Sequence, residues 1–246
     1  LPKASLDRHI LEWAIALSGD PSVPSHEIAQ AAADLPAWPG LAALRRNFER
    51  ALYRENPPAK DVIAAFAKST PQTPVGAAIL ARVNVAQGNA QAAHTVLAPL
   101  WRKAVMSADD EQAIISEFGS LLTADDHFHR MSAMLYAERP ASAGRVAKLA
   151  NSEPLFAAWS AAIRKDAKTA GFVKVVPAEA QKLAGYQFAK ALWLRKTGKL
   201  KDAAKVMAEA PQDAASLIDP DAWWNERRIL ARSLWDAGQT KLAYKT

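Results

Sequence analysis

An all-α fold is what this sequence predicts, and three observations predict it. Alanine is roughly one residue in five, well above ordinary usage. It is the strongest helix former, with a side chain small enough to let helices approach closely. Glycine supplies only 10 of 246 residues, and no run alternates β-branched with polar residues as a half-buried strand would. Apolar residues recur three and four apart between short turn signals, the texture of stacked helix pairs. The expected class is therefore all-α, a tetratricopeptide-like α-solenoid: a right-handed superhelix of antiparallel helix pairs, one domain over residues 1–246.

The elements follow in order. Leu6, Ile10, Trp13 and Leu17 make one stripe on a helix over 5–17 that Gly19-Asp-Pro21 stops. Leu41, Leu44, Phe48 and Leu52 repeat the spacing until Asn56-Pro57-Pro58 ends the run, and 61–68 follows as a shorter partner. Residues 75–87, the turn Gly88-Asn89 and residues 90–101 read as a tetratricopeptide-like pair. Ser107-Ala-Asp-Asp110 and Thr123-Ala-Asp-Asp126 each place a hydroxyl at an N-cap and an acid three residues on, two capping boxes with Asp in the usual Glu or Gln place. Phe118, Leu121 and Leu122 close the first helix; Phe128, Met131, Leu135 and Tyr136 line the second. Residues 141–150 and 154–165 continue the array, and 172–177, with Val-Lys-Val-Val at its centre, is expected to be an extended connection. Two last pairs turn at Gly198 and Gly238, forty residues apart.

Composition narrows the function classes. Lys and Arg exceed Asp and Glu by 31 to 25, a net charge of +6, and a basic surface suits an anionic polymer or lipid. Cysteine is absent, which excludes disulfides and thiolate chemistry. No apolar run approaches the roughly eighteen residues that would span a bilayer.

Two stretches resemble a known family. One is the C-terminal run: Tyr186 to Gly198, then Asp219-Pro-Asp-Ala-Trp223-Trp224-Asn-Glu-Arg-Arg228 through Trp235-Asp-Ala-Gly238 and Ala243-Tyr-Lys-Thr246. The other is Leu121-Leu-Thr-Ala-Asp-Asp-His127 with the helix after it. Together they resemble the α-superhelical domain of the soluble lytic murein transglycosylases over residues 75–246; residues 1–68 match in texture alone. The resemblance implies a periplasmic, non-catalytic scaffold whose partners are peptidoglycan glycan strands, a lysozyme-like catalytic domain missing from this chain, and other wall-associated proteins. The parent reaction it implies is non-hydrolytic cleavage between N-acetylmuramic acid and N-acetylglucosamine, giving a 1,6-anhydro product with no metal or cofactor. The alternative is a tetratricopeptide-like protein-binding module with no enzymatic parent, since stacked repeats make a long groove.

No catalytic centre is expected in the chain. Glycan cleavage needs a carboxylic acid of raised pKa in an apolar pocket, and the family follows its Ser-Glu with a Gly-Leu-Met-Gln-type turn. Ser116-Glu117 and Ser152-Glu153 carry the dipeptide without that turn. His127 and His129 point about 200° apart on a helix and cannot share a metal from it. His9, His26 and His94 are isolated in sequence, and no metal site is expected.

Contacts to a glycan or anionic polymer fall to Trp38, set between Ala37 and Pro39, and to Lys190, Arg195, Lys199 and Lys201 in a basic cluster that also holds Lys196 and Lys205. The cluster lacks the aromatic interleaving of a nucleic-acid surface, so no nucleic acid is expected. Trp13, Trp101, Trp159 and Trp193 fall on apolar stripes. On a helix over 220–237, Trp223, Trp224, Leu230, Ala231, Leu234 and Trp235 are expected to share one broad face with Arg227 near its middle, its head on a carboxylate or on helix-end carbonyls. Trp193, Trp223, Trp224, Arg227 and Trp235 are thus structural. Ile229, Leu242 and Tyr244 are expected to include residues more exposed than their types usually are.

Overall fold

The computed structural model describes residues 5–246, and every regular element among them is a helix. The chain divides into two compact units, one ending at Leu122 and the other beginning at Thr123.

The first unit holds α1 (Leu6–Ser18), α2 (Ser25–Asp34), α3 (Leu41–Glu55), α4 (Ala59–Phe66), α5 (Pro74–Ala86), α6 (Ala90–Lys103) and α7 (Ala108–Phe118). Ser5 caps α1 by accepting from the Arg8 N–H. The apolar stripe of α1 is only half used. Leu6 and Ile10 are exposed, whereas Trp13 and Leu17 pack beside buried Ala16. The core reaches the C-terminal half of this helix alone. α2 lies outside the helices the pattern predicts, because its two buried apolar positions, Ile28 and Ala31, are too few to make a stripe. With Leu44 and Ala51 of α3 they build one core cluster, and Leu52, Val62, Phe66, Ile79 and Val83 build a second between α3, α4 and α5.

Glu49 links those layers. It is fully buried, and its carboxylate accepts from the Gln72 and Thr73 N–H groups, the Thr73 hydroxyl and Arg45 Nε. A side chain from α3 thereby satisfies donors at the start of α5 that no intrahelical acceptor can reach.

The second unit holds α8 (Ala124–Tyr136), α9 (Pro140–Val146), α10 (Glu153–Arg164), α11 (Thr169–Val175), a 3-10 turn (Ala180–Lys182), α12 (Ala184–Lys196), α13 (Leu200–Glu209), α14 (Ala214–Leu217), α15 (Pro220–Asp236) and α16 (Thr240–Lys245). The predicted extended connection over 172–177 is mostly helix. α11 runs to Val175, with Val173 and Val176 buried, so packing against α10 overrides the β-propensity of the valines. Of the two capping boxes, that at Thr123 is reciprocal: Asp126 accepts from the Thr123 N–H, and Thr123 accepts from the Asp126 N–H. At Ser107 the hydroxyl caps the Asp110 N–H, but Asp110 returns a bond only to that hydroxyl.

Four helix pairs turn alike. At Gly88, Glu138, Gly198 and Gly238 the backbone enters the left-handed region, with φ of 75°, 53°, 79° and 72°. In each, the next N–H donates to the carbonyl five residues back: Asn89 to Asn84, Arg139 to Met134, Lys199 to Leu194, Gln239 to Leu234, at 2.8–2.9 Å. This is the Schellman closure of a helix. It joins α5 to α6, α8 to α9, α12 to α13 and α15 to α16. Three turns use glycine, which takes that φ freely; Glu138 does so against steric preference.

α12 is the centre of the second unit, buried on Ala184, Tyr186, Phe188, Ala189, Ala191, Leu192 and Leu194. It crosses α10 closely at Gly185, where a Cβ would stand 2.6 Å from the Trp159 ring.

Candidate functional site

The residues that carry the family resemblance meet around α15. Asp219 caps it by accepting from the Ala222 N–H, and Pro220 opens it. Trp223 is buried, and its indole N–H donates to the Tyr136 hydroxyl at 2.9 Å. Phe188 stacks edge-on to Trp223 and Tyr136, with ring centroids 5.2 and 4.9 Å apart, and Tyr136 meets Trp159 at 4.6 Å. The four rings come from α8, α10, α12 and α15. Burial pushes the Tyr136 hydroxyl well above its ordinary pKa, outweighing the hydrogen bond from Trp223 that lowers it.

Glu226, one turn on, is nearly buried and binds Arg195 of α12 through both oxygens, at 2.5 and 2.9 Å. Arg227 donates to the carbonyls of Met207 and Thr246, at 2.9 and 3.1 Å, with its guanidinium 5.9 Å from the Trp223 ring centroid. The expectation that it would reach helix-end carbonyls holds, with the Trp223 indole beneath it. Desolvation lowers its pKa.

The predicted broad apolar face of α15 is narrower than expected. Trp223, Glu226, Leu230 and Leu234 are buried, whereas Trp224 and Trp235 are 67% and 65% exposed. At about 100° per residue, Trp224 and Trp235 lie ~100–120° round from Trp223, beyond the neighbours that cover it. They are therefore flank residues rather than core. Ile229 and Tyr244 are also exposed, and Leu242 is half-buried.

The basic cluster divides in two. Arg195 is held by Glu226, Lys196 donates to the Ile163 carbonyl at 3.0 Å, and Lys190 lies over the Tyr186 ring at 5.9 Å. Lys199, Lys201 and Lys205 are exposed; Lys199 stands 5.5 Å from the ring of half-buried Trp193. Desolvation lowers the pKa of Lys196, against the raising effect of Glu138. The cationic surface open to a ligand is thus the start of α13, not the whole predicted cluster. Trp38, in the first unit, is half-buried and meets Trp13 edge-on at 5.7 Å, so it offers less free ring than expected.

Neither Ser-Glu pair sits in an acid-catalyst setting. Arg82 donates to both oxygens of Glu117 at 2.5 and 2.8 Å, and Glu153 is exposed in the first turn of α10. His129 Nδ1 donates to the Asp125 carbonyl at 2.9 Å, while His127 is buried. His9 and His26, isolated in sequence, line one cleft of about 700 Å³ between α1 and α2 with Glu12 and Glu27. Among the described residues, no three His, Asp or Glu side chains are placed to hold a metal. None of the described helices is long and apolar enough to cross a membrane.

Two features escaped the sequence reading. The linking role of Glu49 has no local signal, since the donors it reaches at the start of α5, Gln72 and Thr73, lie more than twenty residues away. The row Arg46, Arg50 and Arg54 was legible as i, i+4, i+8 on α3, but its surroundings were not. Comparison with protein-family models, curated proteins and solved structures finds no match to this chain.

Proposed function

We propose that this chain is the non-catalytic superhelical scaffold of a periplasmic peptidoglycan lytic transglycosylase. In this reading the helix pairs continue as a right-handed superhelix, a curved wall that positions the glycan strand or limits access to the catalytic domain. One observation carries it. The Trp-Trp-Asn-Glu-Arg-Arg element spends Trp223, Glu226 and Arg227 on packing, tying α15 to Tyr136, Arg195 and Met207. A motif used this way supports a scaffold role rather than a reaction, and it ties together both stretches that bear the resemblance. Exposed Lys199, Lys201 and Lys205 would meet the anionic wall polymer.

Co-sedimentation with purified sacculi tests the reading. Binding is expected to weaken with salt and with Lys199→Gln/Lys201→Gln/Lys205→Gln, and mass spectrometry is expected to find no anhydro-muropeptides. Release of such products, abolished by Glu117→Gln or Glu153→Gln, would overturn the non-catalytic assignment. A protein-binding module is the second reading, favoured by the exposed indoles of Trp224 and Trp235, a residue type enriched at interfaces. It takes over if sacculi are not bound.

A further inference from the structure

The first unit contains a cavity of about 670 Å³ that the scaffold reading does not use. α3 forms one wall, the start of α5 a second, and residues 104–107 between α6 and α7, with Asp110 of α7, the third. Its volume falls in the range of small-molecule sites.

Charge in the cavity is one-sided. Arg46, Arg50 and Arg54 project from successive turns of α3, opposed in the lining by Asp110 alone. Arg54 is tied to the Pro21 carbonyl at 3.0 Å. Arg50 has only a long bond to the Asn47 side chain at 3.4 Å, and no carboxylate of the described residues pairs with Arg46 or Arg50. Arg45 and Arg82, in contrast, each have a glutamate partner. Two arginines one helical turn apart, with backbones about 6 Å apart along the axis, thus keep their guanidinium donors for something else.

Helix ends contribute little to this charge. Glu49 already occupies the Gln72 and Thr73 amides at the head of α5, and α7 opens with Asp109, Asp110 and Glu111 in its first turn. Any anion held here is held by arginine. The opposite wall is apolar, formed by Val75, Val105 and Met106, and Val105 is 54% exposed. Guanidiniums on one side and aliphatic side chains on the other suit a ligand with a planar or tetrahedral oxyanion joined to an apolar body.

We propose that this cavity is a binding site for a small amphiphilic anion, a phosphate or carboxylate attached to an apolar group, with Arg46 and Arg50 gripping the oxyanion. The chemistry is common to phosphate esters and carboxylic acids, and the test separates them. Phenyl phosphate, benzoate, inorganic phosphate and neutral benzyl alcohol are titrated into the protein, and backbone amide shifts in residues 72–75 and 104–107 are followed by NMR. At least one of phenyl phosphate and benzoate is expected to bind about tenfold tighter than benzyl alcohol, and the tighter of the two identifies the oxyanion. Phenyl phosphate is also expected to exceed inorganic phosphate, because only it meets the apolar wall. Arg46→Gln/Arg50→Gln, at exposed positions that leave the fold intact, removes the preference for the anion; Arg46→Lys/Arg50→Lys retains part of it; Lys199→Gln/Lys201→Gln leaves it unchanged. Equal binding of neutral and anionic probes overturns the proposal. So does binding unchanged by the arginine-to-glutamine pair, or shifts absent from both segments with every probe.

Discussion

Replacing Glu49 by glutamine changes one oxygen to an amide and almost no volume, yet it should cost about 3 kcal/mol. Oε1 accepts from Arg45 Nε at 2.9 Å and the Gln72 N–H at 2.9 Å; Oε2 accepts from the Thr73 N–H and hydroxyl, both at 2.7 Å. A glutamine has one acceptor oxygen. If that oxygen serves Thr73, the new NH₂ faces the Arg45 and Gln72 donors. If it serves those, the NH₂ faces the Thr73 N–H, and only the hydroxyl can rotate to accept. Either way one charge-assisted bond is lost or one buried donor is orphaned, and the Arg45 guanidinium loses its counter-charge. Such losses are each worth about 1.5–3 kcal/mol. Glu49 is 0% exposed, so water cannot take the place of the missing acceptor. The assay is amide hydrogen exchange by mass spectrometry over the first turn of α5, alongside urea unfolding at fixed pH. Exchange there should accelerate about 100-fold, since ~1.4 kcal/mol is a factor of ten. A change under about 1 kcal/mol would refute the account of Glu49 as the buried link between α3 and α5.

Glu138→Gly should stabilise by roughly 0.5 kcal/mol, because it removes left-handed strain and loses only a long, exposed contact to Lys196, while Gly198→Ala should cost about 1 kcal/mol at an equivalent turn; thermal melting of both variants checks the opposite signs. Trp223→Phe should cost about 3 kcal/mol through the lost bond and the cavity, whereas Trp224→Ser should lie within about 0.5 kcal/mol of the parent, both read by urea unfolding. Tyr136 has a folded pKa above its unfolded value of 10.0, so its contribution is complete below pH 10 and is lost as pH rises beyond it. Tyr136→Phe should therefore be less stable at neutral pH by about 1–2 kcal/mol, with the Trp223 N–H left unpaired, yet should lose less stability between pH 9 and 11; parallel slopes in pH-dependent unfolding would contradict the assignment.

Helix content and most helix ends were legible in the sequence because they rest on local forces. Alanine propensity, hydroxyl caps such as Ser5 and Thr123, and glycine at left-handed turns act within four or five residues. Tertiary structure decided what local pattern could not. Val173 favours a strand by propensity, but its burial on a helix packed against α10 holds the segment to Val175 as helix. Glu138 takes a glycine's backbone conformation because the α8–α9 closure requires it. Trp223 and Trp224 are chemically alike and adjacent, and only the width of the surface packed on α15 makes one core and the other flank. The basic cluster likewise offered Lys190, Arg195, Lys199 and Lys201 as contacts until Glu226, 31 residues from Arg195, took one of them. The arginine row of α3 became a candidate site only when residues 104–110 closed a cavity beside it. Which side chains are free to bind depends on partners distant in sequence, and periodicity carries no information about those partners.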